Sequence, residues 1–148
     1  MICYAGIDLH ATNSVLVVID EADRVLYQKR LRNDLSLILA ALEPYRTPVQ
    51  GVVVESTYNW YWLVDGLMDA GYRVHLAHAP ALPQYSGLKH VDDQHDARWL
   101  AHLLRLGLLP TGYIYPKAER AVRDLLRKRS QVVRHKTMVV LSLQSLLT

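Results

Sequence analysis

The chain has 148 residues, enough for one well-buried core and too few for two ordinary domains, and with 51% apolar and 21% charged side chains it is globular and not disordered. One cysteine, Cys3, excludes an internal disulfide or a cysteine-built zinc site and fits a reducing cytoplasm, while the absence of a basic-then-apolar start and of long apolar runs argues against a secretory signal or membrane span. The net charge of +3 is unevenly spread: residues 1–116 carry 9 basic against 12 acidic side chains, whereas residues 117–136 carry 8 against 2, which points to a polyanionic partner such as nucleic acid.

Three strand-like segments open the chain, over residues 2–9, 13–20 and 24–30, with Asp20-Glu21-Ala22-Asp23 reading as a hairpin turn between the last two. Asn33-Asp34 is a plausible cap for an apolar helix that Pro44 stops. Residues 49–55 form a short buried strand, and Ser56 or Thr57 is expected to cap a helix reaching about Ala70, ended by Gly71. A fifth strand over 73–77 is followed by Pro80, a loose stretch, and a helix from about Asp92 to Leu106. Gly107, Pro110 and Gly112 mark a linker. From Lys117 on, Leu125, Val132, Val139 and Leu146 repeat every seven residues, as do Leu126, Val133, Val140 and Leu147, which predicts one long helix with coiled-coil or bundle packing. Three strands in a meander followed by alternating helices and strands imply a mixed five-stranded α/β sheet with helices on both faces.

Four acids stand out against this frame. Asp8 ends one apolar run and Glu55 ends another, so the two can lie side by side on neighbouring central strands. Asp93 and Asp96 are three apart at the start of a helix and project from one face, although Asp92 shares a face with Asp96 as well. Carboxylates beside an apolar core are costly without a positive partner, and no Lys or Arg is near the first two. A pair of Mg²⁺ or Mn²⁺ ions, which prefer hard oxygen ligands, meets that need. Taken singly, each acid could equally be a helix-start charge or a strand-end surface residue.

Gly6-Ile7-Asp8, Val54-Glu55-Ser56-Thr57, Asp69-Ala70-Gly71-Tyr72-Arg73-Val74 and Asp93-Gln94-His95-Asp96-Ala97-Arg98-Trp99-Leu100-Ala101 together resemble the N-terminal domain of DEDD transposases, insertion-sequence recombinases related to the Piv invertases. The likeness spans roughly residues 4–110, and the basic helix resembles the family's coiled-coil segment. It implies an RNase H-like (RuvC-like) catalytic domain over residues 1–110, with residues 111–148 as linker and start of a basic coiled-coil helix. It further implies divalent metal at Asp8, Glu55, Asp93 and Asp96, and cleavage and exchange of DNA strands guided by a structured bridge RNA. The family works as homodimers that assemble into tetramers. Its second domain, which supplies a serine nucleophile, is not in this sequence, so the chain is read as truncated. Asp92 stands where the family usually has Thr or another polar residue.

His10 and His95 flank the acids and could shift protons or contact phosphate; a histidine there is more often a hydrogen-bonding neighbour. Lys89, Arg127, Lys128, Arg129 and Arg134 are the candidate phosphate contacts, the alternative being solvated charge. Tyr58, Trp60, Tyr61 and Trp62 could stack on unpaired bases, with core packing the favoured role, and His75 and His78 are expected to pack. Competing readings are a stand-alone resolvase of Holliday-junction type, an actin-like kinase or ATPase, which needs a second Gly-rich phosphate segment, and a non-catalytic RNA-binding dimerisation module.

Overall fold

In a computed structural model, residues 1–57, 59–78 and 93–147 are described, residues 93 and 94 by backbone alone. They divide into two compact units, Met1–Tyr113 and Ile114–Thr148. The first is built on strands β1 (Cys3–Leu9), β2 (Asn13–Asp20), β3 (Val25–Arg32), β4 (Val49–Glu55), β5 (Val74–Ala77) and β6 (Thr111–Gly112). Helices α1 (Leu35–Leu42), α2 (Tyr61–Asp69) and α3 (Asp93–Leu106) are interspersed, and α4 (Lys117–Leu147) belongs to the second unit.

The sheet order is β3-β2-β1-β4-β5-β6. β1, β2 and β3 form an antiparallel meander, β4 and β5 add in parallel to β1, and β6 returns antiparallel to β5. The fold is the expected mixed α/β sheet, with one strand more than the five predicted. The segment read as linker supplies it: Thr111 and Gly112 pair with Ala77 and Leu76, and the His78 amide donates to the Pro110 carbonyl at 2.8 Å. Two residues are too few for an alternating pattern to register.

β1, β2 and β4 are buried on both faces, which explains their nearly continuous apolar sequences. On one face, Val15, Val17 and Ile19 pack with Ala97 and Ala101 of α3, while Val53 and Ala77 pack with Leu100. The other face buries Leu16, Val18, Val52 and Val54, and α1 and α2 add buried Ile38, Leu42, Leu63, Val64 and Leu67.

One local expectation needs correction. α2 starts at Tyr61, not after Ser56 or Thr57, and its N-cap Trp60 makes no side-chain capping bond. Trp60 is 1% exposed and meets the Tyr61 ring edge-on, 4.4 Å between centroids, so burial of a large ring sets the helix start where capping does not. α1 ends at Leu42, ahead of Pro44 as expected, and Pro44 sits in the first turn of a 3₁₀ helix, Glu43–Tyr45, where its missing N–H costs nothing. Asp34 caps α1 as read, accepting from the Ser36 amide at 2.8 Å.

The β2–β3 turn is organised by Asp20, whose Oδ1 accepts from the amides of Ala22 and Arg24 and whose Oδ2 accepts from Arg24 Nε at 2.7 Å. The Arg24 amide and guanidinium hold this buried carboxyl below the usual carboxylate range despite its desolvation. Asp23, with φ +64°, completes the reversal in the left-handed region that Asp tolerates better than most residues.

Candidate active site

The Gly6-Ile7-Asp8 segment does two jobs. Asp8 is 3% exposed at the C-terminal end of β1. Gly6, two residues earlier and therefore on the same face, lets the backbone of α3 lie directly on the strand. A Cβ at Gly6 would run into the Ala97 carbonyl and lie 2.9 Å from the Ala101 amide nitrogen. The alanines complement the glycine, so the Asp96-Ala97-x-x-x-Ala101 spacing presents a smooth helix face to β1 and carries Asp96 towards the strand ends.

Glu55 ends β4, which runs parallel to β1 with Ile7 opposite Val54, so Asp8 and Glu55 emerge beside each other from adjacent strands. Burial, a hydrogen bond with the Asp8 carboxyl, and repulsion from the charges of Asp8 and Asp96 push Glu55 up to about 7, with His10 opposing. Two carboxyl groups in hydrogen-bond contact hold a proton between them, because both cannot ionise at low cost without a cation. Their titration belongs to the pair. His10 Nε2 lies 3.0 Å from Asp8 Oδ2, close enough to orient that carboxyl.

Asp8, Glu55 and Asp96 therefore converge, with His10 as neighbour. Asp93 heads α3 by its backbone, while its side chain, Lys89, Asp92 and Tyr58 lie outside the described residues. His95 is exposed on α3. Among the described residues no three His, Cys, Asp or Glu side chains stand in metal-holding geometry. The donor set nevertheless suits a hard divalent cation: carboxylate oxygens from three separate elements, two of them sharing a proton that a cation would displace.

A clamp that the sequence reading missed fixes α3 over this site. Asp23 Oδ2 accepts from Arg98 Nη2 at 3.0 Å, Asp23 Oδ1 lies 3.0 Å from His102 Nδ1, and Arg105 Nη1 donates to the Glu21 carbonyl at 3.2 Å. Trp99 stacks on His102 at 5.4 Å. Burial raises the Asp23 carboxyl, but the His102 hydrogen bond and charge and the Arg98 guanidinium outweigh it, leaving it below the usual range. A depressed carboxyl stabilises the fold above its unfolded value near 4, and that contribution is lost as pH falls through the lower folded value. Asp23→Ala is expected to cost about 1 kcal/mol more at pH 7 than at low pH, where the strain of an alanine at positive φ remains, read as the difference in urea midpoint from the parent. An equal cost at both pH values would assign Asp23 to the turn alone. The only advance signal was Arg98, His102 and Arg105 at helical spacing on α3.

The remaining candidates divide by unit. Trp60 is core and Tyr61 and Trp62 are half-buried, in line with packing. His75 is half-buried against the Gly51 position, and desolvation followed by the Arg73 charge lowers its affinity for a proton. Arg127, Lys128, Arg129 and Arg134 are all exposed on α4, as are both apolar stripes, including Leu125, Val132, Val139 and Leu146. No helix among the described residues is long and apolar enough to cross a membrane.

The strand order, with three strands in an antiparallel meander followed by two parallel ones and α3 laid across them, is an RNase H-like fold of RuvC type. Among solved structures, the chain is similar to Thermus thermophilus RuvC in complex with a Holliday junction substrate (TM-score 0.53, 18% identity, 76% of this chain and 100% of that one). A Thermus thermophilus RuvC structure without a stated ligand gives a TM-score of 0.50 at 18% identity, over 75% of this chain and 100% of that one. No curated protein matches by sequence. The model of the IS110-type DEDD transposases, described as Transposase, matches residues 5–148, and the chain belongs to that family.

Proposed function

We propose that this chain is the metal-dependent catalytic part of a DNA transposase, with Asp8, Glu55, Asp93 and Asp96 as ligands for two divalent ions, Mg²⁺ or Mn²⁺. The observation that carries the proposal is the contact between Asp8 and Glu55 on adjacent strand ends, with Asp96 close enough to raise Glu55 further. Bound metal supplies neutralisation of phosphate charge and a nucleophile at neutral pH. The chain's own residues do the positioning. Asp8, buried on a central strand, fixes the centre of the site. Glu55 would give up its proton when the site fills, His10 holds the Asp8 carboxyl in orientation, and α3 carries Asp96 beside both.

Strand exchange, and guidance by a structured RNA, draw on the family membership and on the basic segment of α4. The exposed apolar stripes of α4 support assembly of copies into a homodimer or tetramer. Resolution of branched DNA is a second reading, suggested by the RuvC likeness; the transposase match over residues 5–148 favours the first.

Thermal unfolding with and without Mn²⁺ tests the metal site. An ion that binds only the folded chain at a hundredfold excess over its Kd stabilises by about 2.7 kcal/mol. The parent should show that shift and Asp8→Asn should not; a parent indifferent to Mn²⁺ would count against the proposal. Changing Arg127, Lys128 and Arg129 together to Ala is expected to lower the slope of log affinity for DNA against log salt by about 2–3. An unchanged slope would remove α4 from the nucleic-acid interface.

A further inference from the structure

The edge strand β3 carries a second feature on the face of the acids. Residues 24–32 hold Arg24, Lys29, Arg30 and Arg32 and no acid, within a segment, residues 1–116, that is acidic overall. Arg24 is committed to Asp20. The register sorts the others. Asp8 lies opposite Val15 and Val15 opposite Arg30, so Asp8 and Arg30 share one row and one face. The next row towards the open end of the sheet runs from His10, whose amide donates to the Asn13 carbonyl at 2.9 Å, through Asn13 to Arg32. Lys29, opposite Leu16 and Ile7, points to the other face.

Arg30 and Arg32 are exposed, and Arg30 Nη1 donates to Asn13 Oδ1 at 2.8 Å, which aims its guanidinium along the row that leads to His10. The turn between β1 and β2 is braced as well: Asn33 Nδ2 donates to the His10 carbonyl at 2.8 Å, and Ser14 Oγ donates to Asn33 Oδ1 at 2.6 Å. The ledge is thus pre-formed. Two strand spacings, about 10 Å, separate it from Asp8, within reach of a strand one or two phosphates beyond the cleaved one.

We infer that Arg30 and Arg32 form a phosphate-binding ledge for the DNA strand whose cleaved phosphate sits at Asp8 and Glu55, holding it where it leaves the site. The inference rests on the proposed metal-dependent cleavage site and extends it to the path of the substrate. Val15 is covered by α3, so the strand crosses the open end of the sheet over His10, Asn13 and Arg32. Positive charge on an edge strand also discourages pairing between sheets, and that role makes no distinction between the two faces. Phosphate contact does.

The test compares Arg30→Gln/Arg32→Gln, which retains a donor for Asn13, with Lys29→Gln, using fluorescent single-stranded DNA and a matching RNA over 50–400 mM salt. Unchanged melting temperatures and sedimentation as the parent verify the fold. Loss of two phosphate contacts should lower the salt slope by about 1.4 and the DNA affinity at 0.1 M salt by about 25-fold, with Lys29→Gln at parental values. An unaltered slope in the double variant, an equal effect of Lys29→Gln, or a loss confined to RNA would overturn the ledge while leaving the metal site standing. A parent chain with no affinity for DNA would overturn the proposed function and the ledge with it.

Discussion

Gly6→Ala should destabilise the first unit by about 3 kcal/mol, lowering its melting temperature by about 10–15 °C. The added Cβ meets backbone, the Ala97 carbonyl and the Ala101 amide, and backbone cannot rotate aside. α3 must lift from β1, which loosens the contacts of Ala97, Leu100 and Ala101 together. Gly51→Ala is the control. Its Cβ would meet His75 Nε2 at 3.0 Å and Leu104 Cδ2 at 3.2 Å, both ends of side chains that can turn, so the cost should stay near 1 kcal/mol. The effect at Gly6 also reaches the site, because the same helix carries Asp96. Urea unfolding of the two variants checks the contrast, and a Gly6→Ala midpoint within error of the parent would show that α3 does not rest on β1 as described.

Glu55→Gln should have the opposite sign, making the metal-free chain more stable than the parent at pH 8 while abolishing its response to Mn²⁺. The folded carboxyl is raised to about 7 by burial, the Asp8 hydrogen bond and the charges of Asp8 and Asp96, against an ordinary value of 4.5. A group raised on folding stabilises fully below its unfolded value and loses that contribution as pH rises through the folded one, so the parent loses stability between about pH 4.5 and 7. The amide does not ionise and escapes the loss, a difference on the order of 2–3 kcal/mol at pH 8. His75, lowered on folding by burial, titrates with the opposite sign in an overlapping range, so the difference between variant and parent is the quantity to measure. Stabilisation by removal of a functional acid is a known trade between stability and activity. If Glu55→Gln were less stable than the parent at both pH 5 and pH 8, the carboxyl would be a structural group and not a metal ligand held at a cost.

Much of this was visible before the structure, for identifiable reasons. Strands buried on both faces read as unbroken apolar runs, so β1, β2 and β4 stand out, and with them Asp8 and Glu55 near the ends of β1 and β4. The heptad repeats made α4 plain from Leu125 onwards. Features that depend on contacts far apart in the chain were hidden. Nothing in Gly6 names Ala97 as its neighbour, and Asp23 finds Arg98 and His102 across 75 and 79 residues. β3 runs two residues beyond its expected end, to Arg32, because pairing with Asn13 holds a polar segment in register where alternation had faded. β6 was too short to be seen, and α2 begins where Trp60 finds the core, a choice made by tertiary packing over local capping.

Calorimetric titration of the metal-free chain with Mn²⁺ at pH 6, in two buffers of different ionisation enthalpy, tests the central claim most directly. The Asp8 and Glu55 pair holds a proton at that pH, and an ion that takes both carboxylates must release it. The account predicts saturable binding with close to one proton released, little proton release at pH 8, and neither binding nor release in Asp8→Asn. Binding that releases no proton at pH 6, or that persists in Asp8→Asn, would contradict it.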